Sequence, residues 1–220
     1  MPVKKIVFIS ASTGFLEAMG IIDAINLVEF KYEVIAILDD NPETHGKIIR
    51  GVPVVGSLDL VGNYKDEFFI FGIGSMKTRL IRQQILDKLD IDIIRYETII
   101  HPRAVIDSTA KIGNGCIIHP GAFIGNDVVL ESFVTVAVNS AIAPFVIIES
   151  FAMITSLVVI LSGARIGKFV FVGSCSCVTE NVVVEKGSMI GAGTVVSRNV
   201  AEGCFFLGNP ARLIHKIEIY

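Results

Sequence analysis

The chain has 220 residues, of which 52% are hydrophobic and 19% are charged, with a formal net charge of −3. This balance excludes a disordered chain, which combines low hydrophobicity with high net charge, and disfavours a nucleic-acid binder, which needs a basic face. The length allows one large domain or two of about 100 residues each.

The four cysteines have neither the spacing of zinc ligands nor that of a redox motif. Lys4 and Lys5 are followed by a short apolar run before the sequence turns polar, which is too little for a secretory signal. We therefore expect a cytoplasmic protein with reduced thiols and no bound metal.

The first half of the chain alternates predicted strands with predicted helices. Strands are predicted at residues 6–9, 33–38, 67–71 and 91–95, and helices at residues 14–28 and 76–89. Such alternation is typical of a small Rossmann-like α/β domain with a parallel sheet. Ligands of these sheets bind at the carboxyl ends of the strands, so a site is expected there. The residues at those ends are Ser10, Ala11, Ser12, Thr13, Asp39, Asp40, Gly74 and Ser75.

The turn after the first strand, from Ser10 to Gly14, lacks the two early glycines of the dinucleotide-binding fingerprint. Redox chemistry on a dinucleotide is therefore disfavoured, whereas serine hydroxyls before a helix N-terminus suit an anion. The carboxylates of Asp39 and Asp40 can accept hydrogen bonds from a ribose or a base edge. The alternative is that these two residues only form a turn before Pro42.

An unbroken six-residue repeat organises the second half of the chain. Every sixth residue is Ile, Leu or Val, and a small or β-branched residue stands two places before each. The aliphatic series is Ile106, Ile112, Ile118, Ile124, Leu130, Val136, Ile142, Ile148, Ile154, Ile160, Ile166, Val172, Val178, Val184, Ile190 and Val196. A fixed period of this kind is the signature of a repeat architecture.

A six-residue period predicts a parallel β-helix, in which each hexad forms a short strand and a corner and three hexads complete a coil. Since side chains two apart on a strand share a face, the small and the aliphatic positions are both expected in the interior. Phe133, Phe151 and Phe169 recur every eighteen residues and are predicted to stack along one corner. The alternative, an ordinary parallel sheet buried on both faces, lacks the helical connections that it would need.

Between Ser132 and Ala164 the sequence contains a single charged residue, Glu149. A membrane-spanning helix is disfavoured because the stretch is rich in Val, Ile and Thr, contains Pro144 and keeps a period that is not helical. The outward positions of these coils are instead expected to form an apolar surface, which usually meets a partner. Close packing of three copies is predicted, without insertion into a membrane.

Several short motifs accompany the hexads. They are the aliphatic strand and small-residue turn at 6–14, Ile37-Leu38-Asp39-Asp40-Asn41-Pro42, His45-Gly46-Lys47, Gly51-Val52-Pro53-Val54-Val55-Gly56, Gly74, His101-Pro102 and Gly208-Asn209-Pro210-Ala211-Arg212. Together with the hexads they resemble the two-domain sugar O- and N-acyltransferases of the PglD and NeuD type, which act on bacillosamine and sialic acid. The resemblance covers nearly the whole chain.

This resemblance implies a Rossmann-like α/β domain over residues 1–98 and a left-handed parallel β-helix with a C-terminal tail over residues 99–220. It further implies that the first domain holds a nucleotide-linked sugar and that acetyl-CoA lies along the coils between subunits of a homotrimer. The implied nucleotide-sugar contacts are Ser10, Ala11, Ser12, Thr13, Asp39, Asp40 and Gly74. The implied acyl-CoA contacts are Met153, Ser174, Gly191, Ala192 and Gly193, where tight packing is the alternative explanation.

The chain departs from this family at the position of the catalytic base. The family's histidine and its acidic partner correspond to Pro144 and Phe145, and neither side chain accepts a proton. A second family histidine, which helps to hold CoA, corresponds to Met153.

Three other titratable residues can be weighed as a replacement for that base. His119 lies on a different side of the predicted prism. Glu180 shares a corner with Pro144 but lies two coils away, on the order of 10 Å, which is too far to act on the same proton. His101 stands at the join between the domains, where a turn is expected. No catalytic residue is assigned.

Acyl transfer to an amine needs only a lone pair on nitrogen, whereas a sugar hydroxyl must lose its proton, a step that a base accelerates by roughly 10²–10⁴-fold. The sequence therefore predicts an N-acyltransferase that uses an acyl-CoA, most simply acetyl-CoA, and a nucleotide-linked amino sugar for surface polysaccharide or glycan assembly. The alternative is a catalytically inactive, nucleotide-sugar-binding trimer of the same family. The sugar, the nucleotide and the acyl group stay open.

Overall fold

The computed structural model describes residues 2–74 and 78–217. These residues form two compact units, which divide between Pro102 and Arg103. The boundary predicted between residues 98 and 99 lies just before this division. Within the described ranges, no helix meets the length and hydropathy that a crossing of a bilayer requires.

The first unit alternates strands and helices. Its strands are β1 (Lys4–Ile9), β2 (Tyr32–Leu38), β3 (Ile48–Ile49), β4 (Val52–Gly56), β5 (Phe68–Phe71) and β6 (Ile99–Ile100). Its helices are α1 (Thr13–Val28) and α2 (Arg82–Leu89), and 3-10 helices span Pro42–Thr44, Leu58–Asn63 and Ile93–Arg95. The helix predicted over 76–89 is thus found from Arg82 onward, while residues 75–77, including the predicted Ser75, lie outside the described residues.

Five of these strands form one sheet in the order β3-β4-β2-β1-β5. Strand β1 pairs in parallel with both β2 and β5, and its residues from Ile6 to Ile9 are fully buried. The chain passes from β1 to β2 on one side and returns through β5 on the other. The carboxyl ends of β1 and β5 therefore flank the switch point at which ligands of such sheets bind.

Most of the predicted elements of the first unit are found. Three strands and one helix are confirmed to within two residues, namely those at 6–9, 33–38, 67–71 and 14–28. The strand predicted at 91–95 is wrong, because Ile93–Arg95 is a 3-10 helix. The Asp92 carboxylate starts this helix by accepting a hydrogen bond from the Ile94 N–H at 3.1 Å, which is the usual role of an acidic residue at a helix start.

The hairpin of β3 and β4 was not predicted from the sequence. Its two-residue turn consists of Arg50 and Gly51, whose φ angles are 50° and 83°. Left-handed conformations at both turn positions match the twist of the two strands, but glycine provides only one of them. Because the other position is an arginine, the sequence lacks the usual signal of a hairpin turn.

The second unit consists of two-residue strands and a terminal hairpin. The strands are β7 (Val105–Ile106), β8 (Lys111–Ile112), β9 (Ile117–Ile118), β10 (Phe123–Ile124), β11 (Val129–Leu130), β12 (Thr135–Val136), β13 (Ala141–Ile142), β14 (Ile147–Ile148), β15 (Met153–Ile154), β16 (Val159–Ile160), β17 (Arg165–Ile166), β18 (Phe171–Val172), β19 (Cys177–Val178), β20 (Val183–Val184), β21 (Met189–Ile190) and β22 (Val195–Val196). The hairpin pairs β23 (Cys204–Leu207) with β24 (Arg212–Lys216).

Parallel strands stack at intervals of eighteen residues, so that Ile124 pairs with Ile142, and Ile142 with Ile160. The coils have three faces. The first face contains β7, β10, β13, β16, β19 and β22, the second β8, β11, β14, β17 and β20, and the third β9, β12, β15, β18 and β21. The predicted left-handed parallel β-helix with three hexads per coil is confirmed.

The interior of the coils is the predicted one. Every sixth residue from Ile118 to Val196 is buried, and so is the small residue two places before it. Where that small residue is serine, its hydroxyl joins two coils: Ser140 Oγ donates to the carbonyl oxygen of Thr155 at 2.7 Å and accepts from the Val158 N–H at 3.1 Å. The hydroxyl is thereby satisfied inside an aliphatic column, as a buried polar group must be.

The corners are built from left-handed residues. Every sixth residue from Gly115 to Gly193 has a positive φ, and many of these residues are not glycine. Phe133, Phe151 and Phe169 occupy one corner with φ angles of 62°, 65° and 62°, and their rings stack with centroid distances of 5.0 and 5.2 Å. This confirms the predicted column, whose packing offsets the backbone cost of about 1–3 kcal/mol at each left-handed position.

Candidate functional site

The turn after β1 lies against the chain that leaves β5. Ser10 has a φ of 85°, and its N–H donates to the carbonyl oxygen of Leu38 at 2.7 Å. Ser12 Oγ donates to the carbonyl oxygen of Gly72 at 3.0 Å, and Gly14 packs so closely on that carbonyl that a Cβ would collide with it. A left-handed serine is a strained conformation of the kind that gathers at binding turns.

Asp39 fixes this turn from the neighbouring strand end. Its Oδ2 accepts a hydrogen bond from the Ala11 N–H at 2.6 Å, and its Oδ1 accepts one from the Asn41 N–H at 2.8 Å. His45 donates from Nε2 to the carbonyl oxygen of Asp39 at 2.7 Å. Because both carboxylate oxygens accept hydrogen bonds from backbone N–H groups, Asp39 holds two turns in place. Its role is therefore to position the turns.

Asp40 differs from Asp39 in its surroundings. Its Oδ1 accepts a hydrogen bond from the Leu58 N–H at 3.0 Å, and the residue is exposed. It lines a cavity of about 340 Å³, here called the Asp40 cavity. The other residues of this cavity are Leu58, Asp59, Val61, Ile85, Lys88 and Leu89.

The structure brings some of the predicted nucleotide-sugar residues together and leaves others apart. Ala11 and Asp39 are in direct contact, and Ser12 reaches the chain after β5. Thr13 is the first residue of α1 and therefore lies at the N-terminus of that helix. Gly74 is exposed and precedes residues outside the described range. The sequence could not reveal that Asp40 faces a cavity, since Asp59 and Lys88 are distant along the chain.

The predicted acyl-CoA residues lie on adjacent coils of the β-helix. Met153 is half-buried on the outer side of the third face, where it pairs with Phe171. Ser174 Oγ donates to Thr155 Oγ1 at 3.1 Å, and the carbonyl oxygen of Ser174 accepts from the Gly193 N–H at 2.8 Å. The structure therefore joins Ser174 and Gly193 directly.

Glycine at two of these positions has a geometric reason. Gly191 lies so close to the side chain of Leu207 that a Cβ would collide with it. Gly193 has a φ of 69° and faces open space, since no atom of the described residues lies within 4 Å of the position that a Cβ would take. Ala192 stands between them. The backbone at Gly193 is thus open to the close approach of an extended ligand, whereas the Leu207 side chain covers Gly191.

Pro144 and Phe145 form the corner after β13. Phe145 has a φ of 63° and is 62% exposed, and its N–H donates to the carbonyl oxygen of Asn126 at 3.0 Å. The corner presents apolar carbon where the resemblance places a base. Glu180 lies two coils further along the same corner and is exposed, while His119 is buried.

A second cavity, which sequence reasoning missed, lies at the C-terminal end of the β-helix. It has a volume of about 440 Å³ and is lined by two arginines, Arg198 and Arg212. Its other residues include Ser197, Asn199, Phe206 and Pro210. The motif ending in Arg212 is visible in the sequence, but Arg198 joins it only because the β23–β24 hairpin folds back over the last coil. Guanidinium groups in a cavity suit phosphate oxygens.

Charged groups at the other edge of the first sheet belong to its core. Glu97 accepts hydrogen bonds from the Tyr32 hydroxyl and from Lys4 Nζ, both at 2.7 Å. Burial raises the pKa of Tyr32, and the hydrogen bond to Glu97 raises it further. Within the described residues no group of His, Cys, Asp and Glu side chains could hold a metal ion.

Comparisons with known proteins cover both units. The model of the PglD N-terminal domain matches residues 14–89, and the model of the GMPPB C-terminal domain matches residues 100–204. A comparison with curated proteins finds no match.

Solved structures match nearly the whole chain. The acetyltransferase domain of PglB from Neisseria gonorrhoeae FA1090 is 25% identical, with a TM-score of 0.84, and the match covers 96% of this chain and 100% of that one. The same domain has been solved in complex with acetyl coenzyme A. PerB from Caulobacter crescentus, solved with CoA and GDP-perosamine, is 20% identical with a TM-score of 0.82, and the match covers 97% of this chain and 99% of that one.

WeeI from Acinetobacter baumannii AYE matches 96% of this chain and 100% of its own, with 20% identity and a TM-score of 0.69. At this level of identity, PerB and WeeI show the fold of this chain. PglB shares more of its sequence with it.

Proposed function

We propose, since the chain is a PglD- and NeuD-like sugar acetyltransferase, that it transfers an acyl group from acetyl-CoA to the amino group of a nucleotide-linked sugar. The observation that carries the proposal is the match along both units to the PglB acetyltransferase domain, a protein solved with acetyl coenzyme A. The product belongs to surface polysaccharide or glycan assembly, and the reaction takes place in the cytoplasm.

The acceptor binds at the carboxyl edge of the first sheet. Within the turn of Ser10, Ala11, Ser12 and Thr13, the Ser10 N–H, the Ala11 N–H and the Ser12 hydroxyl are bound inside the protein. The Ser10 and Thr13 hydroxyls and the N–H groups of Ser12 and Thr13, at the start of α1, suit the phosphates of a nucleotide sugar. Asp39 holds that turn through the Ala11 N–H. Asp40 and Gly74 complete the acceptor site, with Asp40 contacting the nucleotide from its cavity.

The donor binds along the third face of the β-helix. Met153 and Ser174 contact acetyl-CoA through their side chains. Gly191, Ala192 and Gly193 contact it through their backbone atoms. Arg198 and Arg212 bind its phosphates in the C-terminal cavity, where their charge is complementary. The support for this arrangement is the exposed, side-chain-free backbone at Gly193 next to the Ser174 hydroxyl network.

The reaction proceeds without a protein base. The nitrogen lone pair of the uncharged amine attacks the thioester carbonyl, a C–N bond forms, and the C–S bond breaks as CoA leaves as its thiolate. The ammonium proton passes to water. Pro144 and Phe145 accept no proton, but orienting the two substrates can lower the barrier by several kcal/mol. A backbone N–H of the coil wall stabilises the oxyanion.

The active form is a homotrimer. The outward side chains of Val105, Phe123 and Val159 lie on the first face and are all more than a third exposed. Burial of this apolar face, one from each of three copies, stabilises the packing of the copies against one another. A trimer also forms the groove between subunits in which the acyl-CoA lies.

A second candidate function is favoured by the corner at Pro144 and Phe145. A member of the family that has lost the base can persist as a nucleotide-sugar-binding trimer without turnover. Such a protein binds the acceptor as the enzyme does but releases no CoA.

One experiment separates the two functions. The protein is incubated with acetyl-CoA and a panel of UDP-, GDP- and dTDP-linked amino sugars, while free thiol and the melting temperature are followed. Release of thiol with one of these sugars supports the transferase. Stabilisation by a nucleotide sugar without thiol release supports the inactive binding protein instead.

A further inference from the structure

The Asp40 cavity has two kinds of surface. Its lining includes Leu58, Val61 and Ile85, which contribute aliphatic side chains from the 3-10 helix after β4 and from α2. Its rim carries Asp40 and Asp59, which are both exposed. Apolar walls with a few polar groups at the rim are the usual surroundings of a small planar ligand.

The two carboxylates still have acceptor capacity. One oxygen of Asp40 accepts from the Leu58 N–H at 3.0 Å, and one oxygen of Asp59 accepts from Ser57 Oγ at 3.3 Å. Among the described residues, none donates a hydrogen bond to the second oxygen of either. An ionised carboxylate only accepts, so a ligand at this rim must donate.

Lys88 adds the opposite chemistry to the same cavity. It lies on α2 one turn after Ile85, and its ammonium group only donates. The cavity therefore presents acceptors at Asp40 and Asp59 and a donor at Lys88. Its ligand needs donors on one edge and acceptors on another.

We infer that this cavity binds guanine, so that the acceptor substrate is a guanosine-diphosphate-linked amino sugar. Guanine has adjacent donors at N1–H and N2–H₂ and adjacent acceptors at O6 and N7, which are complementary to a carboxylate pair and a lysine. Uracil and thymine place one N–H between two carbonyl oxygens, which two carboxylates repel. The inference rests on the proposed function for the identity of the site, and it names the nucleotide that this function left open.

Calorimetric titration of the full chain with free GDP, UDP and dTDP tests the inference. We expect GDP to bind about tenfold or more tightly than either pyrimidine nucleotide, since a bidentate contact to a base edge gives discrimination of that order. Equal or tighter binding of UDP or dTDP, or no measurable binding of GDP, overturns it.

Variants assign the preference to this cavity. Asp59→Asn replaces an acceptor oxygen with a donor and is expected to lower the affinity for GDP about tenfold while leaving that for UDP unchanged. Lys88→Met is likewise expected to lower the affinity for GDP. Asp66→Asn, an equal loss of charge at an exposed position outside the cavity, is the matched control and leaves both affinities as they are. A GDP to UDP ratio that is unchanged in Asp59→Asn and Lys88→Met contradicts the inference.

The thiol assay keeps this inference separate from the proposed function. Acetylation of a UDP-linked but not a GDP-linked amino sugar leaves the transferase standing and refutes the guanine site. Preferential binding of GDP without thiol release from any sugar supports the guanine site and refutes the transferase.

Discussion

At the scale of the residue, burial decides what a polar side chain does in this protein. Asp39 has both carboxylate oxygens bound to backbone N–H groups and holds turns, while its neighbour Asp40 faces a cavity. The two adjacent carboxylates thus have different roles although the sequence presents them as a pair. Tyr32 is a third case, since its hydroxyl is buried against Glu97.

Tyr32 predicts a loss of stability at alkaline pH. Burial, with Glu97 beside it, raises the Tyr32 pKa above the ordinary value of 10.0, so the folded state keeps the phenol neutral while the unfolded chain ionises it. This contribution is fully present below pH 10 and is lost as the pH rises above it. In Tyr32→Phe, the fall in the free energy of unfolding between pH 10 and pH 12 is expected to be shallower by about 1.4 kcal/mol per pH unit.

Urea unfolding of the wild type and of Tyr32→Phe across this pH range is the measurement. Tyr96, whose pKa burial also raises, stays in place in the variant, so part of the alkaline loss persists. An identical pH dependence in the two proteins would show that Tyr32 ionises equally well when folded.

At the scale of the element, α1 contains two glycines with opposite surroundings. A Cβ on Gly14 would collide with the carbonyl oxygen of Gly72, the group that accepts the Ser12 hydroxyl. A Cβ on Gly20 would have no neighbour within 4 Å among the described residues. The same substitution should therefore have opposite effects at the two positions.

Gly14→Ala is expected to destabilise the protein by about 1–3 kcal/mol and to weaken the binding of a nucleotide sugar, because the turn after β1 must move. Gly20→Ala is expected to stabilise it by about 0.5–1 kcal/mol, since alanine lowers the entropy cost of the helix. Urea unfolding and ligand titration measure both. Destabilisation of the same size by both substitutions contradicts the close approach of α1 to Gly72.

The phenylalanine corner of the β-helix gives a second test at this scale. Phe151 stacks on Phe133 and Phe169 and is buried, whereas Phe145 has nearly the same φ and is exposed. Phe151→Ala is expected to cost about 3–5 kcal/mol in the free energy of unfolding, and Phe145→Ala less than about 1 kcal/mol. Because the two backbones match, the difference between the two losses measures the ring stack and its burial, and equal losses would show that the stack contributes nothing to stability.

At the scale of the whole molecule, the architecture follows from the period of the sequence. Eighteen residues per coil with aliphatic side chains at fixed positions leave little freedom in the register, since a shift by one residue would expose the column. The hexads from Ile118 to Val196 therefore predicted the second unit almost residue by residue, and the comparison with known structures confirms the family resemblance.

The sites could be predicted less completely than the fold. The Asp40 cavity requires Asp59 and Lys88 to meet across elements, and the C-terminal cavity requires Arg198 to lie beside Arg212. These residues meet only through tertiary packing, which local sequence patterns do not predict. The strand predicted at 91–95 failed for a local reason, because a short segment with a few apolar residues fits a short helix as well as a strand and Asp92 starts a 3-10 helix there.

The first face of the β-helix allows a test of the proposed trimer. Val159→Glu places a charge on its apolar surface and is expected to convert trimers into monomers, because an unpaired charge resists burial. Lys111→Glu changes the charge on the second face and is expected to leave the trimer intact. Sedimentation equilibrium distinguishes these results, and a Val159→Glu protein that stays trimeric would exclude the first face as the contact.

The pH dependence of acyl transfer tests most directly the proposal that the reaction proceeds without a protein base. The initial rate of CoA release is measured from pH 6 to pH 10 with a nucleotide-linked amino sugar and with its hydroxyl analogue, roughly spanning the ionisation of an amine. The amino sugar should react at a rate that rises as its ammonium group loses its proton and then levels off, with little release from the analogue. Acetylation of the hydroxyl at a comparable rate, or no release from either sugar, would contradict transfer by direct amine attack.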